Sequence, residues 1–169
     1  MTAKISIEHI TKAFPARGGG GGRAGGVGIR EPLVAIDDVD FTVREGEFLV
    51  LVGPSGCGKS TLLDLLGGLT RPTGGRILLD GREIDGPGLD RGIVFQQYAL
   101  FPWRTALGNV EFGLAAKGVG RAARRARARE FLKLVGLDGF EDRYPHELSG
   151  GMKQRVAIAR SLAYDPRCC

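Results

Sequence analysis

The run "EFLVLVGPSGCGKSTLLDLLGGL", residues 47–69, constrains the fold more than any other part of the chain. A continuous apolar stretch that stops at glycine suits a strand covered on both faces. The segment after it fits G-x-x-x-x-G-K-[ST], and the apolar run that follows suits a helix. Glycines at 53, 56 and 58 let the backbone turn tightly and direct successive N–H groups inward as an anion nest. A helix starting near Lys59 aims its positive dipole end at the same point. Lys59 adds a point charge for β- and γ-phosphates, Ser60 offers a hydroxyl to Mg2+, and Thr61 stands next for the α-phosphate. With Ser55 and Cys57 set between Gly53, Gly56 and Gly58, residues 53–61 form a candidate nucleotide loop. A glycine turn that only caps a helix is the rival reading, and the strand before and helix after weigh against it.

Bulk properties fit such a site. At 169 residues the chain has room for one domain with a core and a small attached subdomain. Hydrophobic content of 43% and charged content of 25% are those of a soluble globular protein. Runs such as "FLVLV" are too short to span a bilayer, and "MTAKISIEHI" lacks the apolar core of a secretory signal, so a cytoplasmic location is expected. Cys57, Cys168 and Cys169 form neither a disulfide framework nor a zinc pattern. Much of the net charge of +5 gathers in "GRAARRARAREFLK". Arg121, Arg124, Arg125, Arg127 and Arg129 read as a solvated helix face, because no aromatic residue interleaves with them as on a single-strand nucleic-acid platform.

Along the chain, "KISIEHI" and "DDVDFTV" alternate as half-buried strands do. Between them, glycine-dominated residues 16–32 have almost nothing to bury and read as a flexible loop. "RILLD" followed by "GREI" is a strand entering a turn, and "GIVF" at 92–95 a further buried strand. From about residue 105 the pattern is helical. "TALGNVEFGLAAKG" and "RAARRARAREFLKLVGL" carry apolar residues at helical spacing, with Phe131, Leu132, Leu134 and Val135 as a core face. "GMKQRVAIARSLAYD" is a third helix, ended by Pro166.

A second motif separates the many chains that share a phosphate loop. "LSGGMKQR", residues 148–155, strongly resembles the signature of the ATP-binding-cassette (ABC) ATPases. Its local logic is independent of that likeness. Ser149 precedes two glycines at a helix start, so a hydroxyl, open N–H groups and a dipole share one direction. The resemblance implies that Ser149, Gly150 and Gly151 contact the γ-phosphate of ATP held by a second subunit, in a nucleotide-sandwich dimer. It implies that Gln96, directly after "GIVF", touches Mg2+ or the attacking water. It places Phe14, in "TKAF", where the family stacks a ring on adenine; a strand-end core phenylalanine fits the residues equally well.

The implied fold is α/β: a P-loop NTPase core with an antiparallel β subdomain, and an α-helical signature subdomain. Residues 1–104 would form the core and β subdomain, 105–164 the helical subdomain, and 165–169 the start of a return to the core. The stretch "DGPGLDRGIVFQQYALFPWRTALGNVEFGL" resembles importer ATPases for nitrate, taurine and other sulfonates. There Pro102 and Trp103 would meet the transmembrane permease, and a tryptophan on a polar loop suits an interface anchor. The likeness covers residues 4–15 and 33–167 and implies ATP and Mg2+ as cofactors. It also implies a permease and, indirectly, a solute-binding protein as partners, and a peripheral place on the inner membrane face. Family members continue past "YDP" into an apolar strand ending in Asp-Glu, and later a histidine. Asp165, His146 and His9 do not match those positions. A chain that stopped at Cys169 is therefore expected to lack the C-terminal part of the core, to bind nucleotide weakly and to hydrolyse almost none. Two alternatives stay open: a non-catalytic fragment, or a non-transport relative acting on nucleic acid.

Overall fold

The computed structural model describes residues 3–15 and 31–169. The expected flexible loop at 16–32 therefore lies almost wholly outside the described residues. The chain divides into two compact units, Met1–Pro87 and Gly88–Cys169.

The first unit is built on an antiparallel sheet. β1 (Ala3–Phe14), β2 (Leu33–Arg44), β3 (Gly74–Leu79) and β4 (Arg82–Glu83) lie in the order β2-β1-β3-β4. Strict alternation would send Ile7 and Ile10 to opposite faces, yet both are buried. The pairing shifts register between them, and His9 adopts φ 48°. The extra residue flips the alternation and returns Ile10 to the core face. Asp38 at φ 46° does the same for β2, so that Ile36 and Val39 both serve the core. Across this bulge His9 Nδ1 lies 2.8 Å from Asp38 Oδ1, and that hydrogen bond raises the imidazole pKa. Asp80 and Gly81, at φ 50° and 74°, make the two-residue turn from β3 to β4. Helix α1 (Lys59–Leu66) covers the sheet with Leu62 and Leu65, which join Ile7, Ile10, Ile36 and Ile77 in one apolar cluster.

Two expected strands do not form as such. Residues 48–52 form no strand and pair with none among the described residues, with Phe48 91% and Val52 90% exposed. A strand buried on both faces needs pairing neighbours and covering helices, and the described residues bring neither to this run. "GIVF" is likewise not a ladder strand. Arg91 makes a single parallel bridge to Cys168, and Gly92 N donates to Cys168 O at 2.8 Å.

The second unit is helical: α2 (Ala106–Ala116), α3 (Arg121–Leu134) and α4 (Gly150–Ala163), with a 3-10 turn at Pro145–Glu147. Thr105 caps α2 by accepting from Gly108 N, while Ala106 and Leu107 donate to the carbonyls of Arg143 and Glu141. The first-turn donors of α2 are thus satisfied. Val110, Leu114, Leu132, Leu137, Val156 and Ala159 form the core. Ala128 and Leu132 face it, with Phe131 and Val135 on its flanks, but Leu134 is 74% exposed. It stands about 200° around the helix from Leu132 at 100° per residue, so it is not part of the core face. The arginines are not uniformly solvated. Arg127 Nε donates to Ala163 O at 2.6 Å, supplying a partner to the C-terminal end of α4.

Candidate functional site

The phosphate loop, in the first unit, runs through Gly53–Gly58 into α1. Gly58 is the residue before the helix at φ 95°, and a Cβ there would come within 2.5 Å of Ala35 O. Only glycine fits both demands. Gly56 also has φ above zero, at 83°, and a Cβ on it would meet nothing within 4 Å. Among the described residues, Leu62 N is the first α1 amide with a backbone acceptor, Gly58 O at 2.9 Å. The amides of Ser60 and Thr61 stand at the helix start where an anion cradle needs donors, while that of Lys59 is engaged by the Cys57 sulfur. Lys59 Nζ folds back and donates to Gly53 O and Pro54 O, both at 2.7 Å. Its charge is held at the mouth of the loop by two neutral carbonyls, partners weaker than a phosphate oxygen.

Cys57 shares this charge. Its Sγ lies 3.3 Å from Lys59 Nζ, and that hydrogen bond holds the thiol below its ordinary pKa. Cys169 is pushed the opposite way, by desolvation of its thiol. Because the thiolate is the nucleophile, Cys57 is expected to react with iodoacetamide at lower pH than Cys169. The Lys59→Ala change should move the Cys57 midpoint upward. Peptide mass spectrometry across a pH series reads both; equal midpoints for Cys57 and Cys169 would discard the idea.

Gln96, in the second unit, is exposed at a turn in which Tyr98 N donates to Phe95 O at 3.0 Å. Tyr98 and Ala99 hold φ 63° and 47°, a conformation that costs non-glycine residues energy. Arg160 of α4 fixes it by donating to Tyr98 O at 3.0 Å and Ala99 O at 2.6 Å. Ser149 begins α4 as anticipated, its hydroxyl accepting from Met152 N at 3.3 Å. Gly150 and Gly151 are exposed, and a Cβ on Gly150 would stand 3.2 Å from the Tyr98 hydroxyl. The signature and the turn after Gln96 are therefore neighbours within one unit. The contributions of Tyr98 and Arg160 escape sequence reading, because neither sits in a spacing that signals a contact.

Pro102 and Trp103 are exposed on the Phe101–Thr105 loop, Trp103 at 71%. Phe101 lies beneath, its centroid 4.7 Å from Phe112 and 5.6 Å from Trp103. Phe14 ends β1 partly exposed and outside the apolar cluster, with Lys12 Nζ 5.1 Å from its centroid. No described helix is long and apolar enough to cross a membrane.

Residues 36–169 match the family described as ABC transporter. The chain is 52% identical over 166 residues to an uncharacterized ABC transporter ATP-binding protein of Methanocaldococcus jannaschii, covering 98% of this chain and 58% of that one. A taurine import ATP-binding protein of Burkholderia thailandensis is 55% identical over 164 residues, covering 97% and 58%. A nitrate import ATP-binding protein of Synechocystis is 54% identical over 141 residues, covering 83% and 53%. The chain thus spans little more than half the length of these relatives. Among solved structures, a dimeric bacterial ABC transporter cassette superposes with a TM-score of 0.82 at 38% identity, covering 96% of this chain and 70% of that one. A cassette dimer in a post-hydrolysis state with ADP and Pi gives 0.80 at the same identity and coverage. The fold is therefore that of a partial ABC cassette, with the P-loop, the antiparallel β sheet and the helical signature region all present.

Proposed function

Because this chain belongs to the ABC transporter family, we propose that it is the nucleotide-binding part of an importer ATPase that carries taurine, sulfonate or nitrate-like anions. The phosphate loop carries the reading. An ammonium, the amides of the helix start and glycine turns converge there on one place, a donor set that suits a polyphosphate. Lys59 and the amides of 59–61 would hold ATP, the Ser60 hydroxyl and Gln96 amide would serve Mg2+, and Phe14 would stack on adenine. Bound MgATP supplies the phosphoanhydride whose cleavage drives transport. Ser149, Gly150 and Gly151 would reach the nucleotide of a second copy, and Pro102 and Trp103 would meet the permease at the inner membrane face, with a solute-binding protein delivering the anion. The similarity to taurine and nitrate import proteins supports the cargo class.

Hydrolysis belongs to the whole ATPase, so binding is the test of this reading. Photolabelling the chain with 8-azido-ATP should be saturable and competed by ATP and pyrophosphate. Labelling that neither competitor reduces would overturn the nucleotide site. A strain deleted for the gene should lose uptake of taurine or nitrate, and unchanged uptake of both would overturn the cargo.

A further inference from the structure

Asn109 is the most deeply buried polar residue of the helical unit, with 0% exposure, and on α2 it falls on the side of the small buried residues Ala106 and Gly113, turned away from Leu107. Buried amides need hydrogen-bond partners, and those of Asn109 all come from a single loop. Its Oδ1 accepts from Phe101 N at 2.8 Å. Its Nδ2 donates to Phe101 O at 3.2 Å, Arg104 O at 3.1 Å and Thr105 O at 3.0 Å, two hydrogens shared among three carbonyls. The orientation is fixed by chemistry, because a flipped amide would set an NH2 against the Phe101 N–H and an oxygen against three carbonyls. An apolar side chain buried here would make none of these bonds. What the asparagine adds is the loop.

The loop carries an aromatic display. Phe101 is its centre, with Arg104 over both Phe101 and Phe112 at 5.8 and 5.4 Å and Arg160 over Phe101 at 5.9 Å. Trp103 projects from it into solvent, and Arg104 N closes the turn by donating to Phe101 O at 3.1 Å. A segment with most of its side chains exposed ordinarily incurs an ordering cost when it binds, and a loop already held in shape does not.

We infer that Asn109 is a positioning residue: its buried amide holds Phe101–Thr105 in one preformed shape and so presents Trp103 to the permease ready to dock. The docking half of this inference rests on the reading of Trp103 given above, while the ordering half does not.

Trp103 is the only tryptophan in the chain, so its fluorescence reports on this loop alone. Two variants serve. Asn109→Ala removes all four bonds. Asn109→Ser keeps a hydroxyl that reaches Thr105 O one turn back but not Phe101. In either variant, with helix content checked by circular dichroism, the nanosecond depolarisation of Trp103 should grow about twofold or more in amplitude, with a matching rise in acrylamide quenching. Affinity for the permease should fall about tenfold, through the ordering that binding must then supply. Unchanged Trp103 motion in a folded variant overturns the inference. If neither variant folds, amide exchange in the unaltered protein decides: Phe101 N–H should be protected as strongly as the amides of α2, and exchange at a free-loop rate overturns it. The Trp103→Ala variant tests the docking reading separately. Undiminished permease binding there removes that reading and leaves the ordering role of Asn109, read by fluorescence, intact.

Discussion

Replacing Lys59 by alanine is expected to weaken MgATP binding by about 10- to 100-fold, since hydrogen bonds to charged groups contribute about 1.5–3 kcal/mol and each tenfold is about 1.4 kcal/mol. The structure says why the loss should be that large. The ammonium already sits at the loop mouth, 2.7 Å from the carbonyls of Gly53 and Pro54. A phosphate that enters exchanges those neutral acceptors for charged ones, and the gain is electrostatic. Alanine removes that gain and also releases the loop, whose shape the ammonium ties to α1. Arginine should not rescue, because its planar fork is longer and cannot act as a compact point charge. Lys133→Ala, an exposed change on α3, is the control and should leave affinity unaltered. Competition against a fluorescent ATP analogue measures all three. Equal affinities for Lys59→Ala and the parent would mean that the ammonium does not face the phosphates.

The phosphate loop and the signature were legible in the sequence for a shared reason: each is short, local and enforced by backbone geometry. Gly58 needs φ 95° and has Ala35 O where a Cβ would go, so its identity reveals its conformation. Ser149 caps α4 through a bond only three residues long. Features that depend on distant partners were not legible. The bulge at His9 and Asp38 uses two residues with side chains in left-handed conformations, so no glycine announces it, yet it decides which face Ile10 joins. Residues 48–52 read as a buried strand because the run itself is apolar, but burial is a property of neighbours, and the described residues provide none that pair with it. Arg127 reads as one of five solvated arginines until α4 brings Ala163 O within 2.6 Å. Tyr98, Arg160 and Asn109 escape notice for the same reason.

The pair Leu132 and Leu134 turns that distinction into a stability measurement. Both belong to the apolar run that ends α3, and apolar character alone enrols both in the core. The structure separates them, one fully buried against Val110, Leu114 and Val156 and the other 74% exposed. Leu132→Ala removes methyl groups from a packed interior and leaves a cavity, a change that costs about 2–5 kcal/mol. For a unit of this size that corresponds to a fall in Tm on the order of 10–30 °C. Leu134→Ala removes little that is buried, so its effect should stay within about 0.5 kcal/mol. Alanine is also the better helix former, which offsets part of even that. Urea midpoints followed by Trp103 fluorescence compare the two directly, since Trp103 lies in the same unit. A Leu134→Ala cost equal to that of Leu132→Ala would contradict the rotation of α3 that turns Leu134 to solvent. It would mean that another surface covers Leu134 in solution, and the core of this unit would have to be redrawn around it.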